Sequence, residues 1–181
     1  MPSLGDTLFA FTEWLRTTSL PEFSLWLSGT DFSVWLQTHF WVIPTGQSIH
    51  ILSIAALFGS AVMLDLRIFN LAGSSRSLAQ LSRRYVPWIW WAFFVLLVTG
   101  VILTIAEPVR ELINPIFWVK MGLLPVAIVL NLWFQAAVRK RTATWDSNQS
   151  GHLAIRLGAI GLILLWCLIM FCGRWIAYAP V

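Results

Sequence analysis

A run of sixteen residues, Ile49 to Leu64, contains no formally charged side chain, and Asp65 and Arg67 close it. About 20 predominantly apolar residues in a helix cross the roughly 30 Å hydrocarbon layer of a bilayer. Three later stretches have the same character, and only 11% of all residues are charged, whereas soluble domains are about one quarter charged. The sequence therefore predicts an all-α integral membrane protein built as a four-transmembrane-helix bundle.

The predicted transmembrane helices form one domain, residues 45–181, and cover 45–69, 86–106, 115–138 and 152–178. Pro44 is expected to interrupt helical structure before the first of them, because proline lacks a backbone N–H. Residues 1–44 are apolar but are interrupted at Pro21 and Gly29 into pieces shorter than a span. We expect these pieces to be amphipathic helices lying in the membrane interface; a single bent span is the alternative.

Basic residues are distributed unevenly between the predicted loops. Segments 66–84 and 139–156 carry four Lys or Arg each, whereas the N-terminal segment, the loop 107–114 and the end of the last helix carry one each. Loops rich in Lys and Arg stay on the cytoplasmic side. We therefore expect a multi-pass protein of a bacterial inner membrane with both termini in the periplasm. The basic residues form no patch of the kind that binds nucleic acid.

Four ionisable residues, one within or at the outer end of each predicted helix, fall at similar depth near the outer side: His50, Glu107, Lys120 and Arg174. Ionisable groups inside a membrane are costly, so they are candidates for function. Singly, Lys120 could snorkel to the interface and His50 could be a hydrogen-bonded core residue. Their common depth favours a shared site. His152 begins the last helix roughly 25 Å away by helix rise, so it cannot share a metal with His50.

Other polar residues of the spans have structural explanations. Asn131 is predicted to hydrogen-bond to a neighbouring helix, and Asp65 to pair with an arginine. Cys167 and Met170 share a helical face, and with His50 they could bind copper. Cysteine and methionine in transmembrane helices usually pack rather than bind metal, so copper is the weaker alternative.

Between residues 41 and 131 the sequence contains the segments Trp41-Val-Ile-Pro44, His50-Ile-Leu, Gly59-Ser60, Leu64-Asp65-Leu66-Arg67, Thr99-Gly100 and Asn114-Pro115-Ile-Phe117-Trp-Val-Lys120-Met121, followed by Asn131. In these segments the chain resembles a bacterial family of small four-helix membrane proteins of unknown function. This resemblance implies the predicted fold but no particular activity.

A looser resemblance is to the membrane-embedded, heme-containing protoporphyrinogen oxidase and to membrane proteins of the copper-resistance D type. In the oxidase, a histidine on the first helix and a lysine in a Trp-x-x-Lys segment are associated with heme. His50 and Lys120 are the similar positions here. The spacing from Trp118 to Lys120 is Trp-x-Lys, and the oxidase's further histidines have no counterpart. The resemblance therefore implies heme binding rather than porphyrinogen oxidation.

The resulting hypothesis is a membrane protein that binds a b-type heme (heme b) and takes part in electron transfer near the outer face. His50 would be the axial ligand, and Lys120 a second ligand or a partner of a heme propionate. Arg174 would be a further propionate partner, and Glu107 would lie in the same cofactor site. Quinone or a larger redox complex within the lipid bilayer would exchange the electrons. Whether the protein is an enzyme stays open.

Two alternatives remain. The protein could be a non-catalytic accessory or docking subunit of a respiratory or photosynthetic membrane complex, since its twelve tryptophans suit a surface at the membrane boundary. It could also transport a metal or small solute, although four spans without an inverted repeat are unlike most secondary transporters.

Overall fold

The computed structural model describes residues 3–72, 75–141 and 153–179. All regular secondary structure in this part of the chain is α-helical: α1 (Leu4–Arg16), α2 (Leu20–Ser28), α3 (Asp31–Thr38), α4 (Val42–Ile68), α5 (Leu78–Ala106), α6 (Pro108–Leu112), α7 (Pro115–Arg141) and α8 (Leu153–Trp175). Four of these helices, α4, α5, α7 and α8, are long and apolar enough to cross a membrane. The predicted fold class, an all-α four-helix membrane bundle, is confirmed.

The start of α5 differs most from the prediction. The helix begins at Leu78 rather than at residue 86, so residues 78–84 are helical and not part of a polar loop. Ser77 and Gln80 explain the earlier start: Gln80 N donates to Ser77 Oγ at 3.2 Å, and Ser77 N donates to Gln80 Oε1 at 3.1 Å. This reciprocal pair is a capping box, which satisfies two backbone N–H groups at a helix start.

Smaller differences from the predicted bounds concern the start of α4 and the ends of α7 and α8. α4 begins at Val42 rather than at residue 45, and Pro44 lies inside its first turn. Proline does not break a helix there, because a first-turn N–H has no intrahelical acceptor. α7 continues to Arg141 instead of ending at 138, and α8 ends at Trp175 instead of 178. The predicted loop 142–151 and His152 lie outside the described residues.

The N-terminal segment forms three short helices rather than one bent span. At 1.5 Å per residue even α1, with 13 residues, is only about 20 Å long. α2 packs against α6 and against its neighbours α1 and α3. The buried Ser33 hydroxyl donates to Ile105 O at 2.6 Å and so attaches α3 to the last turn of α5. The location of α1, α2 and α3 in the membrane interface stays a prediction.

The described residues divide into two compact units, and each long helix contributes a segment to both. The first unit contains residues 3–51, 97–122 and 169–179. The second contains residues 52–72, 75–96, 123–141 and 153–168. All four residues predicted to share a site lie in the first unit.

The second unit is held together by an apolar core and by polar contacts. Its buried core consists of Ile68, Leu78, Phe134, Val138, Ile155, Ala159 and Leu162. Trp90 Nε1 on α5 donates to Gln135 Oε1 on α7 at 3.1 Å, and Gln135 Nε2 lies 3.4 Å from Asn131 Oδ1. Gln135 thus makes the hydrogen bond between the two helices and Asn131 contacts Gln135 within α7; a bond from Asn131 to a neighbouring helix stays a prediction.

The buried charges at the end of α4 lie in the second unit. Asp65 and Arg67 are each 6% exposed. Arg67 Nε donates to Arg76 O at 2.8 Å, and Arg67 Nη1 donates to Asn70 Oδ1 at 2.5 Å. Arg67 therefore holds the beginning of the α4–α5 connection. A pairing of Asp65 with an arginine stays a prediction.

Candidate functional site

His50 projects from α4 towards α5. Its Nδ1 lies 2.7 Å from the Thr99 hydroxyl oxygen, and Thr99 is buried whereas the imidazole is half-buried. The next residue on α5 is Gly100, where an added Cβ would lie 3.7 Å from His50 Cε1. Because the hydroxyl occupies one ring nitrogen, the other nitrogen is the one that can exchange a proton or bind a metal.

Lys120 projects from α7 towards α8. A Cβ added at Gly173 would lie 3.8 Å from its ammonium nitrogen, so this glycine makes room for the lysine head group. The charge of Lys120 acts on His50, on Glu111 and on Cys172. The structure thus brings His50 and Lys120, two of the four predicted site residues, into one electrostatic cluster.

Glu111 on α6 is a member of this cluster that sequence analysis missed. Its side chain is only 16% exposed, and Oε1 lies 3.7 Å from Arg110 Nη2. Burial raises the pKa of Glu111, while the positive charges of Lys120 and Arg110 act in the opposite direction and the negative charge of Glu107 adds to the rise. A signal was present in the sequence: the loop 107–114 has only eight residues, so its acidic groups must stay near the helix ends.

The other two predicted site residues have different neighbours. Glu107 precedes α6 and forms an ion pair with Arg110. Arg174 is exposed, donates from Nη2 to the Tyr178 hydroxyl at 2.7 Å, and lies 5.0 Å from the centre of the Tyr178 ring. Glu107 therefore borders the cluster through Glu111, whereas Arg174 is held by a residue one turn further along the chain. Their cofactor-binding roles stay predictions.

The corner between α6 and α7 positions Glu111 and Lys120. Asn114 is fully buried there; its Oδ1 accepts from Ile116 N at 2.9 Å and its Nδ2 donates to Ile176 O at 3.1 Å. One amide thus caps the start of α7 and ties it to the chain just after α8. The Trp118 indole donates to Leu112 O at 2.9 Å, which closes the corner from the other side.

The donor set can be compared with the needs of metals and of heme. In residues 3–72, 75–141 and 153–179, His, Cys, Asp and Glu side chains form no group of three or more that could hold a metal ion. A heme iron needs only one or two axial donors from the protein. His50, with one ring nitrogen held by Thr99 and with Gly100 beside the ring, fits the requirement for one axial donor.

Comparison with known proteins gives a family but no activity. No curated protein and no solved structure matches the chain. The sequence pattern of DUF6644, a family of unknown function, matches residues 26–179, a segment that begins in α2 and includes all of α3 to α8. This match confirms the resemblance to a family of unknown function, while the looser resemblances stay predictions. Because 154 of the 181 residues are matched, the chain belongs to the DUF6644 family of unknown function.

Proposed function

We propose that this protein binds a b-type heme through His50 and takes part in electron transfer near the outer face of a bacterial inner membrane. The hydrogen bond between His50 Nδ1 and Thr99 Oγ1 is the observation that carries the proposal. Histidines that ligate metals almost always donate their other ring N–H to an oxygen, which selects the tautomer and orients the ring. If Nδ1 donates to Thr99, the lone pair of Nε2 is the axial donor.

The residues around His50 have separate tasks in this proposal. A Cβ added at Gly100 would be in van der Waals contact with His50 Cε1, so the imidazole packs closely against α5 at this glycine. Lys120 contributes positive charge, which Glu111 partly balances. An amine must lose its proton before it can bind a metal, whereas a partner of a propionate keeps its proton. The two roles of Lys120 therefore require opposite protonation states.

Glu107 and Arg174 have peripheral roles. Arg174 Nη2 is bonded to Tyr178, so a propionate would be bound by the other guanidinium donors. Glu107 acts through Arg110 and Glu111. When bound, the heme would supply a reversible one-electron couple whose potential depends on its ligands and on nearby charge. Quinone or a larger redox complex in the bilayer would be the electron partner.

The optical spectrum of the detergent-purified protein, oxidised and reduced, tests the proposal. We expect a Soret band and a reduced α-band in the wild type, and loss of most heme in His50→Ala. His39→Ala is a matched control, since His39 Nδ1 bonds to Trp35 O at 2.8 Å within its own segment. His152→Ala, at the opposite end of the last helix by sequence, should also keep the bands. Wild-type protein at full yield without these bands would overturn the proposal.

Lys120→Met separates the two roles of the lysine. A propionate partner contributes charge only, so the variant should keep the wild-type spectrum and show a lower midpoint potential, because removing positive charge destabilises the added electron. A second axial ligand would instead change the spectrum, since methionine would replace an amine at the iron. If both His50→Ala and Lys120→Met keep the wild-type spectrum and potential, the cluster is not a cofactor site.

A second candidate function is that of an accessory or docking subunit of a respiratory or photosynthetic complex. It is favoured by the exposed aromatic side chains of the N-terminal segment: Phe9, Trp14, Phe23, Trp26, Phe32, Trp35, Phe40 and Trp41. Such rings suit either the membrane boundary or a protein partner. Two results together would favour this function over the first. The wild-type protein would be purified without heme, and substitution of Trp14 and Trp26 would abolish its association with a defined complex.

A further inference from the structure

An apolar groove runs between α7 and α8 in the second unit. It has a volume of about 340 Å³ and is lined by Val126, Leu130 and Trp133 on α7 and by Gly158, Gly161 and Leu165 on α8, among others. Trp133 and Leu165 belong to helices that can span a membrane. In a bilayer the open side of this groove would therefore face hydrocarbon rather than water.

The groove exists because Gly158 and Gly161 have no side chains to fill the space between α7 and α8. A Cβ added at Gly158 would lie 3.1 Å from Trp133 Cζ3, so the indole packs directly over the α8 backbone at that point. Around Gly161, by contrast, an added Cβ would have no neighbouring atom within 4 Å. Trp133 thus closes the groove at Gly158, and the space beside Gly161 stays open.

We propose that this groove binds one acyl chain of a phospholipid whose anionic head group is held by Lys140. The lining of the groove is almost entirely apolar, and the hydrocarbon of lipid chains is the apolar material that a bilayer supplies at this level. A single flexible hydrocarbon chain can enter between the two helices.

Charge complementarity supports the position of the head group. Val126, Leu130 and Trp133 are four and three residues apart, so they share one face of α7, and a further step of seven residues on that face leads to Lys140. The step corresponds to about 10 Å along the helix axis. Lys140 is exposed, and neither α7 nor α8 contains an Asp or Glu that would compete for it. A phosphate at this level would meet a cation.

Native mass spectrometry tests the proposal on full-length protein released from nanodiscs of palmitoyl-oleoyl phosphatidylglycerol. Gly161→Leu should place a side chain in the groove and remove one retained lipid. Gly59→Leu is the matched control, because Gly59 is also exposed, lies on a spanning helix and has no atom within 4 Å of an added Cβ. This control should retain the wild-type number of lipids.

The head-group part has its own measurement. In nanodiscs with equal amounts of phosphatidylglycerol and phosphatidylcholine, the wild type should retain mainly the anionic lipid, and Lys140→Gln should retain both equally. Val126→Phe fills the groove from α7 and replaces Gly161→Leu if that variant does not fold.

Two results would overturn the proposal. The first is equal lipid retention in the groove-filling variant and in Gly59→Leu. The second is an unchanged lipid count with a changed oligomeric mass, which would make the groove a contact between copies. Equal retention of the two lipids by the wild type would overturn the role of Lys140.

Discussion

At the scale of single residues, the heme proposal depends on the contact between His50 and Thr99, which links α4 to α5 in the first unit. Thr99→Val keeps the shape of the side chain but removes the hydroxyl. A half-buried ring nitrogen then loses its partner, which costs about 1–3 kcal/mol of stability. We expect Thr99→Val to unfold at lower temperature than the wild type in a thermal denaturation assay, whereas Thr99→Ser should stay close to the wild type. An unchanged melting temperature in Thr99→Val would show that the hydroxyl does not contribute to stability.

Glu111 makes stability depend on pH. Its pKa is raised in the folded protein, mainly by burial, so the folded state holds the proton more tightly than the unfolded state. The stabilisation from that proton is present at acidic pH and is lost as the pH rises from the ordinary glutamate pKa, about 4.3, through the raised value. We expect melting temperatures of the wild type to fall relative to those of Glu111→Gln over this interval. Parallel melting curves for the two proteins would contradict the raised pKa.

Sequence analysis identified His50 and Lys120 because ionisable residues stand out inside apolar runs. It missed Glu111, since an acidic residue in a loop is ordinarily solvated and its burial depends on tertiary packing. Arg174 was placed correctly along its helix, but its direction is set by Tyr178 four residues later. The position of a residue along a helix can thus be predicted from sequence, whereas the partner of a side chain depends on the tertiary neighbours.

At the scale of secondary-structure elements, the start of α5 shows a local signal that hydropathy conceals. Ser77 and Gln80 form the capping box that extends the helix over the polar residues 78–84. Ser77→Ala should cost about 1 kcal/mol, within the usual range for loss of an N-cap, and should speed amide hydrogen exchange at residues 78–81. Ser75→Ala is the control, because Ser75 precedes the cap. Unchanged exchange in Ser77→Ala would show that packing alone fixes this helix start.

At the scale of the whole molecule, only 22–28% of the most apolar 18-residue stretch of each long helix is buried within the protein. The remaining apolar surface is far larger than the patches that soluble monomers expose, which is why hydropathy alone predicted the fold class. The orientation of the helices rests instead on the four arginines of segment 66–84 and on the four basic residues of segment 139–156.

This orientation predicts which single cysteines an impermeant maleimide reaches in intact cells. In a background without Cys167 and Cys172, Glu13→Cys on α1 should be labelled from outside, because Glu13 is half exposed and would lie in the periplasm. Ser75→Cys, and Ser147→Cys in the segment outside the described residues, should be labelled only after the inner membrane is permeabilised. Labelling of Ser75→Cys in intact cells would reverse the orientation. It would place His50, Glu111 and Lys120 on the cytoplasmic side and assign their electron partner to that compartment.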